Sequence, residues 1–448
     1  MKSQGKTVGI YTLGCKVNQY ESEAIAERFA AEGLTVLSPT SVCDVYVINT
    51  CTVTAESDRK ARQFIRRAIK KNPQAYVLVT GCMSQTQPEA VAAIAGVDYV
   101  CGNAEKLSVV DEAMALLKYG KKADLPRISA PPPDARGFER MTITKFDRTR
   151  AYVKIEDGCE SHCTYCTIPA ARGSIRSKSP EDVLAEVRGL TVGGCREIVL
   201  TGIETASYGK DLEGYSLIDL LEEIDKIPGI GRIRLGSLDP SLIKAPFVER
   251  LARLHSITPH FHLSMQSGSD RILGLMKRKY NTRMALAGME LLRAAMPSVQ
   301  FTTDMIVGFP QENDADFEET VEFVRRAKFL MIHVFPYSKR AGTPAAVMSG
   351  QIPEAIKHDR AARLSAIESE IRRDILNSLA GKELPVLFET FENGYATGHT
   401  PEFIEITCES DIPLHAQTHT VTVTSNDGTR CLGRLNDYCP RQERNDHE

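Results

Sequence analysis

The sequence contains no run of about 18 apolar residues, so it carries no candidate membrane span. Its first residues, MKSQGKTVGIYTLG, lack the long apolar core that follows the basic residues of a signal peptide. Neither sign of charge dominates: 55 Lys and Arg stand against 58 Asp and Glu, a formal net charge of −3. So small an imbalance excludes wholesale attraction to nucleic acid, and any such contact has to come from local patches. These absences point to a cytoplasmic protein without a membrane partner. The 12 cysteines fall at irregular spacing, which in a long chain speaks for metal or redox chemistry rather than a disulfide framework. Apolar residues are present in ordinary measure. With 42% hydrophobic and 25% charged content, 448 residues suffice for two or three domains, each with its own core.

The densest chemistry is the run Cys159-Glu-Ser-His-Cys163-Thr-Tyr-Cys166. Three thiolates leave a zinc ion short of its usual fourth ligand. They can instead hold three irons of a cubane cluster and leave the fourth open. An open iron can bind S-adenosylmethionine and pass it an electron, as radical chemistry requires.

Residues 6–118 alternate strands and helices. Apolar, β-branched runs at Thr7–Tyr11, Asp44–Asn49 and Ala75–Thr80 predict buried parallel strands, with helices over Glu21–Ala31, Glu56–Lys71 and Pro88–Ala95. This is the pattern of an open, doubly wound α/β domain. Cys15, Cys51 and Cys82 each follow one of these strands, so their loops share the crevice beyond the strands' carboxyl ends. Cys43 and Cys101 lack that placement and read as core thiols. The helix after Cys51 carries Arg59, Lys60, Arg62, Arg66, Arg67, Lys70 and Lys71 against Glu56 and Asp58. That is either a solvated surface or a phosphate-contacting face, with Arg59, Lys60, Arg66 and Arg67 the candidate RNA contacts.

Residues 119–145 include three consecutive prolines and read as a domain linker. A regular β–α repeat then begins, with strands expected at Ala151–Glu156, Glu197–Thr201, Arg232–Gly236, His260–Ser264, Phe301–Val307 and Met331–Phe335. Six such units fit a partial barrel with its active loops at the carboxyl ends of the strands. After a helix over Glu354–Leu379 come five short strands, from Leu384 to Arg434, which suggest a small antiparallel barrel over 379–442. Residues 381–448 hold five Lys or Arg and twelve Asp or Glu, a balance of −7. Such a module either grips phosphate through a few residues such as Arg430 and Arg434, or stacks bases on Phe391, Tyr395 or Phe403.

The cysteine run resembles the signature of radical S-adenosylmethionine enzymes, Tyr165 included. TLGCKVNQYESE, INTCTVTAESDRKAR and VTGCMSQ resemble the three cysteine motifs of the methylthiotransferase family within that class. The resemblance spans about residues 6–440 and implies an auxiliary 4Fe-4S cluster on Cys15, Cys51 and Cys82. A second 4Fe-4S cluster is implied on Cys159, Cys163 and Cys166, in a radical core over 146–378. Gly202, Glu204, Ser237 and Gln266 fall in segments that in the family cradle S-adenosylmethionine. Arg172, just after the cluster loop, is expected to pair with a cofactor carboxylate in a bidentate contact. The C-terminal barrel resembles the family's RNA-binding TRAM module.

The words around Cys15 resemble the branch that adds a methylthio group to C2 of N6-threonylcarbamoyladenosine in tRNA. Two S-adenosylmethionine molecules per turnover, a tRNA anticodon stem-loop and a reductant protein such as flavodoxin or ferredoxin are implied with it. The branches acting on isopentenyl-modified adenosine or on a ribosomal-protein aspartate are the alternatives within the family. A non-catalytic RNA-binding iron–sulfur protein is the alternative outside it.

Overall fold

The computed structural model describes residues 5–436 apart from 121, 123, 124, 136, 147 and 148; the expected C-terminal stretch 437–442 lies outside the described residues. Six parallel strands form the first sheet, in the order Thr35–Leu37, Thr7–Thr12, Val45–Thr50, Tyr76–Gly81, Tyr99–Cys101, Arg127–Ser129. Every residue of Val45–Thr50 is buried, as a parallel strand covered on both faces must be. The three longer strands match the apolar runs. The other three have three residues each, too few for a hydrophobic period to register. Arg127–Ser129 falls in the span read as linker: instead of spacing two domains it closes the edge of the first sheet.

The helix Ala55–Lys71 begins where Thr54 accepts a hydrogen bond from the Ser57 amide at 3.1 Å. Asp58, Ala61, Ile65 and Ala68 are buried on one side, and its basic side chains point outward. The preceding helix, Lys16–Ala31, does something different. Tyr20 and Ala24 leave the first domain's core and enter the large central one, beside Ile155, Val183 and Val187. The Tyr20 hydroxyl donates to the Met141 carbonyl at 2.6 Å, and Lys178 pairs with buried Glu186 beside it. The first domain is thereby packed against the second rather than tethered to it.

The central domain is an open barrel of six parallel strands in two hydrogen-bonded sheets. Arg150–Lys154, Glu197–Thr201 and Arg232–Leu235 make one; Ser237–Leu238, His260–Gln266, Gln300–Val307 and Met331–Pro336 make the other. The third strand changes sheets at Gly236. Ser179 caps the helix Pro180–Val192, accepting from the Asp182 amide at 3.1 Å, as the Ser-Pro-Glu-Asp sequence predicts. The helix Glu354–Asn377 follows.

Five strands close the C-terminal barrel: Glu383–Glu392, Tyr395–His399, Glu405–Glu409, Thr418–Asn426 and Cys431–Leu435. The pairing is antiparallel except between Glu405–Glu409 and Cys431–Leu435, which run parallel. This barrel sits on the amino-terminal end of the central one. Phe403, in a left-handed conformation with φ 70°, stacks between His260 and His399 with ring centroids 4.7 Å from each. The Arg150 and Arg234 guanidinium groups lie 5.4 and 5.0 Å from the same ring. Phe403 is therefore a wedge between domains and not a platform for a base; Tyr395 remains exposed.

Candidate functional site

Gly158 opens the loop after the first barrel strand with φ 89°, and any Cβ there would stand 1.9 Å from the Ser174 carbonyl oxygen. Only glycine lets the chain turn here. Beyond it, Cys159, Cys163 and Cys166 line a pocket at the carboxyl ends of the strands, together with Tyr165, Glu204, Ser237, Asp239, Gln266 and Arg278. The amides of Ser161 and Ile168 each donate to a cysteine sulfur, Cys159 and Cys166 respectively, at 3.4 Å. Arg278 Nη1 lies 3.1 Å from Cys163 Sγ, and its Nη2 is 3.0 Å from Asp239. Glu204 accepts from Ser161 Oγ at 3.2 Å and from Cys159 Sγ at 3.3 Å.

Burial, reinforced by the Glu204 carboxylate, pushes the Cys159 thiol up to about 12. Burial pushes Cys166 to about 12 as well. Both therefore keep their protons until a metal cation deprotonates them on coordination. The donor set fits an iron–sulfur cluster: three free thiols on one loop, two backbone N–H groups and a guanidinium aimed at sulfur. Among the described residues no three His, Cys, Asp or Glu side chains converge as ligands of a single ion. Thiolates that each take a different iron of a cubane need not converge that way.

The other triad lies where strand order reverses in the first sheet, between Thr7–Thr12 and Val45–Thr50, the usual crevice of an open α/β domain. Cys15 directly precedes the helix Lys16–Ala31, Cys51 directly follows Val45–Thr50, and Cys82 opens the short helix Cys82–Thr86. Gly14 has φ 99°, and a Cβ on it would come within 2.9 Å of Cys51 Sγ, which brings the first two loops into contact. Burial, then the facing Cys82 and Cys15 thiols, push Cys51 up to about 11. Cys51 and Cys82 are buried and Cys15 is exposed, all three as free thiols. Three sulfurs from three loops, one of them open, again suit a cluster with an accessible iron.

Two of the expected cofactor contacts stand elsewhere. Arg172 is fully buried, and its guanidinium is taken up by Glu21 (2.6 Å), Asn18 (2.6 Å) and Asp157 (3.2 Å) between the first and central domains. The short helix Ile168–Arg172 turns it away from the pocket that its proximity to Cys166 suggests. Gly202 lies behind the pocket wall: a Cβ there would meet Glu156 Oε2 at 2.6 Å. Its bareness makes room for that carboxyl, which accepts from the Glu204 amide at 2.9 Å. Tyr165, Glu204, Ser237 and Gln266 do line the pocket, Gln266 with φ 66° at a strand irregularity. Arg278 and Tyr280 escaped the sequence reading. They lie more than 110 residues beyond the cysteine loop, in a Lys- and Arg-rich stretch that reads as surface.

Of the basic residues, Arg59, Lys60, Arg66 and Arg67 are exposed on the helix Ala55–Lys71. Arg59 is paired with Glu56 at 2.6 Å, and Arg67 lies over the Phe64 ring at 5.3 Å. In the C-terminal barrel Arg430 is matched by Asp427 at 3.3 Å and Glu405 at 3.4 Å, while Arg434 is exposed on the last strand. No helix among the described residues is long and apolar enough to cross a membrane.

Residues 153–324 match the model of the radical SAM superfamily, and residues 7–102 match that of the uncharacterized protein family UPF0004. The chain is 40% identical over 410 residues to the threonylcarbamoyladenosine tRNA methylthiotransferase MtaB of Bacillus subtilis, covering 89% of this chain and 90% of that one. To the protein of the same name from Thermotoga maritima it is 39% identical, with 89% and 91% covered. The tRNA-2-methylthio-N(6)-dimethylallyladenosine synthase of Staphylococcus haemolyticus is 36% identical, with 86% of this chain and 76% of that one covered. Among solved structures, the radical S-adenosylmethionine methyltransferase TsrM of Kitasatospora setae, with cobalamin and a [4Fe-4S] cluster bound, shares the fold. The TM-score is 0.54 at 15% identity, with 92% of this chain and 82% of that one covered.

Proposed function

The chain belongs to the tRNA methylthiotransferase family of radical S-adenosylmethionine enzymes, and from that premise we propose that it adds a methylthio group to C2 of N6-threonylcarbamoyladenosine, just 3′ of a tRNA anticodon. The observation that carries the proposal is 40% identity across 89% of the chain with a protein named for that substrate. An aromatic C2–H bond is too inert for acid–base chemistry. When bound, two 4Fe-4S clusters and two S-adenosylmethionine molecules per turnover supply a radical able to take that hydrogen atom and a methylated sulfur to replace it.

The chain's residues do the holding. Cys159, Cys163 and Cys166 ligate one cluster, and Cys15, Cys51 and Cys82 the other. Tyr165, Glu204, Ser237 and Gln266 form the walls against which S-adenosylmethionine is oriented. Arg278 sets a fixed cation beside Cys163 that offsets the negative charge a thiolate cluster carries. Placing the two triads on opposite sides of the bound nucleoside brings sulfur to carbon at high effective concentration. The anticodon stem-loop lies along the exposed basic face of Ala55–Lys71, which continues from Cys51. That face suits phosphate better than the C-terminal barrel, where Arg430 is already matched by two carboxylates. The electron comes from a cytoplasmic flavodoxin or ferredoxin.

Mass spectrometry of tRNA nucleosides from cells with and without the gene tests the proposal. Loss of 2-methylthio-N6-threonylcarbamoyladenosine with accumulation of its precursor is the expected result. Loss of the dimethylallyl product instead would reassign the substrate. An unchanged profile would refute tRNA methylthiolation altogether.

A further inference from the structure

Arg172 lies six residues after Cys166, at the end of the short helix that leaves the radical loop. Its Nη2 donates to Asn18 Oδ1 at 2.6 Å, and its Nη1 to Glu21 Oε1 at 2.6 Å and Asp157 at 3.2 Å. Asp157 stands two residues before Cys159, so the guanidinium reaches both flanks of the radical loop. On the other side, Asn18 lies one helical turn beyond Cys15. Its side-chain amide donates to the carbonyls of Leu13 at 2.7 Å and Thr50 at 3.0 Å, beside the auxiliary cysteines Cys15 and Cys51. Asn49 donates back to the Asn18 carbonyl at 3.0 Å and accepts from Lys106 at 3.1 Å. Lys106 and Lys154 complete the cluster by pairing with Glu21.

Every side chain in this group is at most 5% exposed. Three buried cations, with the less buried Arg176 3.6 Å from Asp157 as a fourth, face two carboxylates, and Arg172 is close enough to act electrostatically on Cys15 and on Cys82. Despite burial, Arg172, Lys106 and Lys154 hold the Glu21 carboxyl well below the ordinary range. A buried charged group of this kind costs solvation, and breaking it strands the partners. Among the described residues, none of its side chains hydrogen-bonds or ion-pairs with a side chain lining the radical pocket. What it joins is the two cysteine triads.

We propose that Arg172 is a positioning residue, a strut whose hydrogen bonds to Asn18, Glu21 and Asp157 set the separation of the two cysteine triads. The proposal rests on the reading that both triads hold clusters. Reductive cleavage of S-adenosylmethionine takes place in the pocket around Cys159, Cys163 and Cys166 and does not need the strut; insertion of the methylthio group at C2, which needs the radical and the sulfur to reach one and the same carbon, does. Lysine in its place keeps the charge but cannot reach Asn18, Glu21 and Asp157 together.

The test is the full-length protein with Arg172→Lys, reconstituted anaerobically beside wild type, with iron and sulfide assayed in both. Two quantities are read: 5′-deoxyadenosine formed per methylthiolated nucleoside, and the magnetic interaction between the two reduced clusters by electron paramagnetic resonance. The expected result is 5′-deoxyadenosine formation within about twofold of wild type, with the ratio raised about tenfold to a hundredfold and the interaction altered. An unchanged ratio and interaction in the fully loaded variant would overturn the strut. So would parallel loss of 5′-deoxyadenosine, because Arg172 would then serve the radical centre itself. Should Arg172→Lys not fold, Asn18→Ser removes the same link from the other side and is held to the same outcomes. Wild-type protein that loads a single cluster would overturn the two-cluster reading, and its iron content separates that failure from failure of the strut.

Discussion

Replacing Arg278 by methionine removes a cation aimed at Cys163, a proposed ligand of the radical cluster. The side chain is 9% exposed and fully engaged: Nη1 on Cys163 Sγ at 3.1 Å, Nη2 on Asp239 and the Ser264 carbonyl at 3.0 Å, Nε on the Tyr280 hydroxyl at 2.9 Å. With the cluster bound, Cys163 is a thiolate accepting a charge-assisted hydrogen bond. Reduction adds a negative charge to the cluster, so the guanidinium stabilises the reduced state more than the oxidised one. A hydrogen bond to a charged group contributes about 1.5–3 kcal/mol. If half of that belongs to the reduced state alone, its loss lowers a one-electron potential by roughly 30–65 mV. Asp239, left at 10% exposure without its cation, pushes in the same direction, and Asp239→Asn alone raises the potential. The assay is a potentiometric titration followed by electron paramagnetic resonance, in a background lacking the auxiliary cysteines so that one cluster is observed. Reductive cleavage of S-adenosylmethionine slows by roughly three- to tenfold in step. A potential that stays within about 15 mV of the parent, or moves upward, would refute the reasoning.

Glu156 and Phe403 offer tests that do not depend on turnover. Burial holds the Glu156 carboxyl up to about 8, and its Oε1 has no hydrogen-bond partner. With the folded value above the unfolded one, the native state binds the extra proton, so stability falls as pH rises from about 4.5 to about 8, by at most about 5 kcal/mol. Glu156→Gln mimics the protonated acid: its melting temperature should match wild type near the acid end of that window and exceed it increasingly towards the other. A difference independent of pH would rule this out. Phe403→Ala removes a ring stacked on two imidazoles and costs about 2–4 kcal/mol at the junction of the central and C-terminal barrels. Amide exchange in His260–Gln266 and Tyr395–His399 should quicken, and unchanged exchange there would mean that the wedge does not hold the domains together.

Much of the architecture was legible beforehand because it is local. Cys159, Cys163 and Cys166 share one loop whatever the fold. Glu197–Thr201 follows its apolar run residue for residue, and Ser179 caps its helix as the Ser-Pro-Glu-Asp sequence requires. The repeated placement of Cys15, Cys51 and Cys82 after strands was enough to bring them to one crevice, since a parallel sheet puts all its carboxyl ends on one side. Three-residue strands were not legible, and Arg127–Ser129 was hidden in a proline-rich stretch because an edge strand is recruited by its neighbour rather than by its own pattern.

The partners of buried charges were not legible, for a related reason. Arg172 sits next to the radical loop in sequence, yet its partners Asn18 and Glu21 are more than 150 positions away. Arg278 reaches Cys163 from 115 positions away, and Phe403 finds His260 across a domain boundary. Sequence by itself determined which cysteines are expected in each triad, the longer strands and helices, and the family. Tertiary structure alone decided which cation faces which sulfur and which carboxylate is matched, because a charge in a low-dielectric interior answers to distance through space, and packing sets that distance.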